Sequence, residues 1–232
     1  MEIYRQVFSR SARMGISYVV LGVIMGISLT AVFNYVVRVS GTLPTTTNVN
    51  VADLPGILSY MVVPFSAVVG LLVTTPIYLL FVADKNTGLL EYLLAVGMGQ
   101  RDVFWGYMKA SFLLSMVGMV PMMALNVVLA SNGLGNAAVA SGLSLLTGFS
   151  DVALVTVLMT AFSSMQKRPS GMNSPVGISI GILLVLPEVL LISLLRTEIV
   201  WLDLAFGVGI FVVSAFLLMS INRLIVREKL LP

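Results

Sequence analysis

Long apolar runs separated by short polar breaks set the layout of this 232-residue chain. Ahead of the first run, Ile3, Tyr4, Val7 and Phe8 fall on one side of a helical wheel, and Arg5, Gln6, Ser9, Arg10 and Arg13 on the other. That spacing predicts an amphipathic helix over 2–13 lying at an anionic membrane surface. The first run, Ile16 to Val37, holds 22 residues. At the helical rise of roughly 1.5 Å it reaches about 33 Å, enough to cross the hydrocarbon core of a bilayer. It is too long for the apolar region of a secretory signal and lacks an Ala-x-Ala exit, so it reads as a membrane span.

Five more runs of this kind follow, at 57–82, 104–129, 143–165, 176–195 and 199–221. The second contains Pro64 and Pro76, both expected to kink it, and the third contains Pro121 and Asn126. Ser131 to Ser150 is uncharged and rich in Gly, Ser and Asn, and reads as a loop with room for a short surface helix. The fourth span is then centred on Asp151 to Met165, its earliest start at Leu143. Gln166 to Pro175 is a clear break, and Arg196-Thr197-Glu198 a tight turn. The pattern predicts an all-α, polytopic membrane protein: one domain over 1–232 with six spans, an N-terminal interfacial helix and a short helix between spans two and three.

That short helix is the most polar-edged element in the chain. From Thr87 to Gly97, Leu89, Leu90, Leu93, Leu94 and Val96 recur at helical spacing and share a face, while Asp84, Lys85 and Glu91 fall elsewhere. Thr87 is suited to cap its start, Gly97 and Gly99 to end it, and Glu91 lies where the helix dipole favours negative charge. On the residues alone two readings stand: a helix lying on lipid, or a docking element for another protein.

Composition agrees with a membrane setting. Hydrophobic residues make up 58% of the chain and charged residues 10%, where soluble domains carry roughly a quarter charged. Charge distribution fixes an orientation. With the N-terminus cytoplasmic, inside segments hold Arg5, Arg10, Arg13, Lys85, Arg101, Lys109, Lys167, Arg168, Arg223, Arg227 and Lys229, and outside segments only Arg38 and Arg196. This bias predicts both termini and the short helix on the cytoplasmic side of a cell membrane. Cys and His are absent, which excludes disulfides, the usual zinc sites and Cys- or His-based catalysis. No Gly is followed by Lys, so there is no P-loop for ATP phosphates. The paired or clustered aspartates of intramembrane proteases and phosphatidyl transferases are missing, and no feature points to nucleic acid. The chain reads as neither an enzyme nor a metal protein.

The segment Gly88-x-Leu90-Glu91-x-Leu93-Leu94, followed by Gln100-Arg101-Asp102 and an aromatic-glycine step into a helix, resembles the signature of ABC-2-type permeases. Leu89 stands where that family usually has Thr, and Gly97 where Pro is common. The six-span layout extends the resemblance to the whole chain. It implies the permease subunit of an ATP-binding-cassette transporter, moving an unidentified substrate outward, with ATP and Mg held by a separate ATPase subunit and no cofactor on this chain. It further implies a second permease copy, the same or similar, as partner within the bilayer. Residues 87–97 would then be the coupling helix, with Gly88, Leu89, Leu90, Glu91, Leu93, Leu94, Arg101 and Asp102 meeting the ATPase. The leucines would enter a groove of the partner and the charged residues form a polar rim.

Elsewhere, Glu188, in Leu186-Pro187-Glu188-Val189, is the carboxylate read as lying inside a span. Such a group marks either a polar spot on a substrate or ion path, or a re-entrant break at Pro187. Gly22-x-x-x-Gly26 and Gly177-x-x-x-Gly181 are close-packing signals, for helix contacts within one subunit or across a dimer. Two rival functions remain at this level: an ion-coupled secondary transporter using Glu188, and a membrane scaffold subunit that transports nothing.

Overall fold

A computed structural model of the chain describes residues 3–40, 62–129, 134–165 and 199–224. Among these the structure is all-helical, with seven helices: α1 (Ile3–Met14), α2 (Ile16–Ser40), α3 (Val62–Asn86), α4 (Leu89–Ala95), α5 (Gln100–Leu129), α6 (Leu134–Met165) and α7 (Ile199–Leu224). Four of them, α2, α3, α5 and α6, carry stretches long and apolar enough to cross a membrane. The sixth expected run is helical as α7, apolar over Gly207–Leu217. The fifth, at 176–195, lies outside the described residues, as do Gly177, Gly181 and Glu188.

The central pillar is α3, packed against α2, α5 and α6, with α7 lying on the far side of α6. Its core side chains Val69, Val73, Ile77, Leu80 and Phe81 are buried together with Tyr107, Leu114 and Met122 of α5. Backbones come close because small residues meet branched ones. A side chain at Gly22 of α2 would overlap Val73, and one at Gly118 of α5 would stand 2.7 Å from Val73 and 3.0 Å from Val69. The two valines of α3 are therefore held between glycine sockets on both neighbours, as expected where packing rather than water drives helix association. Gly22 and Gly26 are both used inside the subunit: Gly26 faces Met122 and Val69. Further along the same stripe of α2, the Thr30 hydroxyl donates to the Gly26 carbonyl, and Asn34 Nδ2 reaches Asn126 Oδ1 of α5 at 3.5 Å.

Three expectations need correction. Residues 134–150 are helix rather than loop: α6 is continuous from Leu134, ahead of the earliest start expected, at Leu143. Small polar residues break helices in water because they compete for the backbone, but here they turn on their own helix. Thr147 Oγ1 donates to the Leu143 carbonyl at 2.8 Å and Ser150 Oγ to the Leu146 carbonyl at 2.7 Å. Gly148 and Ser66 let α6 and α3 touch, with a side chain at Gly148 standing 2.9 Å from Ser66 Oγ. Second, α1 does not lay its apolar face on lipid alone. Val7 is buried, Ile3 and Phe8 pack on the core, and Gly106 of α5 makes room for Ile3. Third, of the two prolines in α3 only Pro76 lies in the helix interior. Pro64 sits in the first turn, where its missing N–H has no intrahelical acceptor to lose.

Candidate functional site: the junction of α1, α3, α4 and α5

The junction begins where α3 ends in a charge. Asp84 lies in the last turn of α3 with its side chain 2% exposed, a position that requires compensation. Arg10 of α1 supplies it with both arms of its guanidinium: Nη2 donates to Oδ1 at 2.8 Å and Nη1 to Oδ2 at 3.2 Å. The Tyr107 hydroxyl of α5 donates to Oδ2 as well. Three helices thus meet on one carboxylate, and the forked geometry fixes orientation as well as charge. Phe81 packs edge-on against the Tyr107 ring at 5.1 Å, closing the site on its apolar side. Lys85, next in sequence, is also buried.

From this anchor the chain turns sharply. Thr87 does not cap α4. Its hydroxyl donates back to the Asp84 carbonyl at 3.3 Å and belongs to the end of α3. The N-cap is Gly88 at φ 74°, a left-handed conformation costly for a residue with a Cβ. Gly97, at φ 92°, ends the helix as its sequence position predicts. Its N–H donates to the Leu94 carbonyl and the Met98 N–H to that of Leu93, at 3.1 Å each. This is the Schellman pattern, accompanied by Leu93 and Met98 both resting on the core. α5 then starts at Gln100, with the Asp102 and Val103 N–H groups bonded to the Gly99 carbonyl.

The leucines of α4 share a face, as the periodicity predicts, but that face is turned into the protein. Leu90 and Leu94 are buried in one cluster with Val7 of α1, Phe81 of α3 and Val103 of α5. They are not available to a groove on another molecule. Leu89 and Leu93 are half-buried and Gly88 forms the entry turn. The outward surface carries Glu91, Tyr92, Ala95 and Val96, with Tyr92 64% and Val96 61% exposed. Arg101 and Asp102 are exposed at the start of α5 and Lys109 further along it. The result is a short, rigidly tethered helix presenting an aromatic and an aliphatic side chain amid mixed charge. Among the described residues, no cluster of three metal-ligating side chains is present.

Sequence reasoning picked out Asp84 and Arg10 as charges but not their pairing, and missed Tyr107. A carboxylate at the end of an apolar run, with an arginine on an amphipathic helix and a tyrosine two turns into the next run, was the available signal. It also placed Asp151 at the head of a span, whereas the residue lies well inside α6. Comparison with protein-family models, with curated proteins and with solved structures finds no match.

Proposed function

We propose that this chain is the membrane subunit of an ATP-binding-cassette transporter of the ABC-2 type, crossing the cell membrane six times with both termini cytoplasmic. Two such subunits, or one with a similar partner, would enclose the path of an exported substrate. ATP would be hydrolysed by a separate subunit docked at the junction described above. The observation that supports this reading most is the build of α4. It is locked to α1, α3 and α5 through Leu90 and Leu94, yet it exposes Tyr92 and Val96 where a surface in contact with water would favour polar residues. An exposed aromatic beside mixed charges is the composition of an interface anchor with a polar rim. A force applied there would reach three other helices through one cluster.

The partner contact is therefore assigned to the outward side of the coupling helix: Glu91, Tyr92 and Val96, rimmed by Arg101 and Asp102. Leu90 and Leu94 hold the helix in place from beneath. The natural absence of Cys makes the test direct. Single cysteines at Tyr92 and Val96, reacted with a short photoactivatable crosslinker in membranes containing a co-expressed P-loop ATPase subunit, should join the two chains. A cysteine at Ser28, on the exposed side of α2, should not. Crosslinks to lipid alone from position 92 would remove the docking reading and return α4 to a membrane-surface helix.

A further inference from the structure

Asp151 lies in the interior of α6, about 26 Å along the helix axis from its first residue and about 21 Å from its last at the usual helical rise. Its side chain is fully buried, and among the described residues neither carboxylate oxygen has a hydrogen-bond partner. Its surroundings are fixed on two sides. Ser144, Gly148 and Val152 form the stripe that meets α3: Ser66 Oγ donates to the Ser144 carbonyl at 2.9 Å, and a side chain at Gly70 would stand 2.8 Å from Val152. Leu146, Thr147 and Ser150 form the stripe that meets α7: a side chain at Gly207 would stand 2.8 Å from Thr147, and Ser214 Oγ donates to the Ser150 carbonyl at 3.3 Å. At 3.6 residues per turn, Asp151 projects between these two stripes.

Among the described residues, the packed elements show no counter-charge beside it. α3 carries Tyr78 and, at its far end, Asp84 and Lys85, of which Asp84 is held by Arg10 and Tyr107. On α5, Arg101, Asp102 and Lys109 are exposed, and Tyr107 is spent on Asp84. Asp203 and Arg223 stand near opposite ends of α7. None of the described side chains donates to the Asp151 carboxyl, while the unpartnered Ser144 hydroxyl lies two turns back on α6.

We propose that Asp151 is a proton-binding site in the membrane-embedded part of the bundle. Burial without a hydrogen-bond partner favours the neutral, proton-bearing carboxyl, and ionisable groups inside membrane helices mark proton and ion paths. A hard metal cation would need about six oxygen ligands. Here Ser66, Thr147 and Ser150 direct their hydroxyl protons at backbone carbonyls. The site is independent of the docking surface, so either assignment can fail without the other.

The test uses the intact, purified chain and dicyclohexylcarbodiimide, an apolar reagent that reacts with protonated carboxyls. The carboxyl proton passes to a carbodiimide nitrogen and the carboxyl oxygen bonds the central carbon. Migration to nitrogen then leaves an N-acylurea carrying the whole mass of the reagent. Peptide mass mapping should place the adduct on Asp151 in mildly acidic buffer. Labelling should fall by about tenfold per pH unit once the carboxyl is mostly ionised, and be insensitive to sodium. Asp151→Asn should lose that adduct and no other. Modification confined to exposed carboxylates such as Glu91 and Asp102 would overturn the proposal. Protection of Asp151 by sodium at constant pH would also overturn it, in favour of a metal cation at the same residue. The wild-type map decides the matter even if the variant fails to fold.

Discussion

Among the described residues, two aspartates are buried, and they are treated in opposite ways. Asp84, at the end of α3, is met by a two-armed arginine and a tyrosine from two other helices. Asp151, in the interior of α6, meets no donor among the described residues. Both sit among apolar neighbours, so burial alone does not separate them. What differs is depth and connection. Asp84 lies where Arg10 can reach it while remaining 47% exposed, so the ion pair joins α1 to α3 at modest desolvation cost and the Tyr107 hydroxyl adds α5. A carboxylate in the middle of a membrane helix has no such access, and its ionised form costs about 3 kcal/mol or more. The first arrangement is suited to holding a shape. The second leaves a group whose state can change.

Placing a new carboxylate in the apolar cluster beside Asp84 is the most severe way to press on this contrast. Leu90→Asp should destabilise the chain by more than about 4 kcal/mol, because the new carboxylate would lie in a buried apolar cluster. Thermal unfolding and size-exclusion in detergent should show loss of the folded monomer rather than loss of a partner alone. Next comes Arg10→Ala, which turns Asp84 into a poorly compensated acid. A cost of about 2–3 kcal/mol is expected, at the low end for a broken buried pair because Arg10 is half in solvent. A cost below about 0.5 kcal/mol would mean that the Tyr107 hydroxyl suffices. Asp151→Asn should shift stability by less than about 1 kcal/mol in either direction, since no salt bridge is lost. A large loss there would show that Asp151 does have a counter-charge, and the distinction between the two acids would collapse. Smallest of all, Tyr92→Ala should leave unfolding within about 0.5 kcal/mol of wild type while abolishing capture of the ATPase subunit proposed as partner.

The sequence made the helices around the junction legible because periodicity and turn chemistry agree there. Gly97 was identifiable as a stop, and the leucines of α4 as one face. Periodicity assigns residues to a face but does not say what that face touches, and an inward and an outward leucine stripe look alike. The side of α4 that remains free is set by α1, which lies far earlier in the sequence and contributes Val7 to the same cluster. Residues 134–150 failed for a different reason. Their Gly, Ser and Asn content carries the opposite meaning in an apolar bundle, where small residues permit close approach and hydroxyls can bond their own helix. Asp151 was misplaced as a direct result, since a residue thought to follow a loop was not examined as an intramembrane acid.

The glycine sockets around α3 have a mechanical consequence. Val69 and Val73 are each lodged against backbone, Val73 on both sides, with Gly22 on α2 and Gly118 on α5. Axial slippage of α3 past either neighbour would drive a methyl group into a backbone carbonyl before the next socket came into reach, a full turn away at about 5.4 Å. The three helices therefore keep their register and travel as one slab. A rigid motion of that slab would roll about its seam with α6, where Gly70, Ser66 and Gly148 make contact and where Asp151 lies one turn further along.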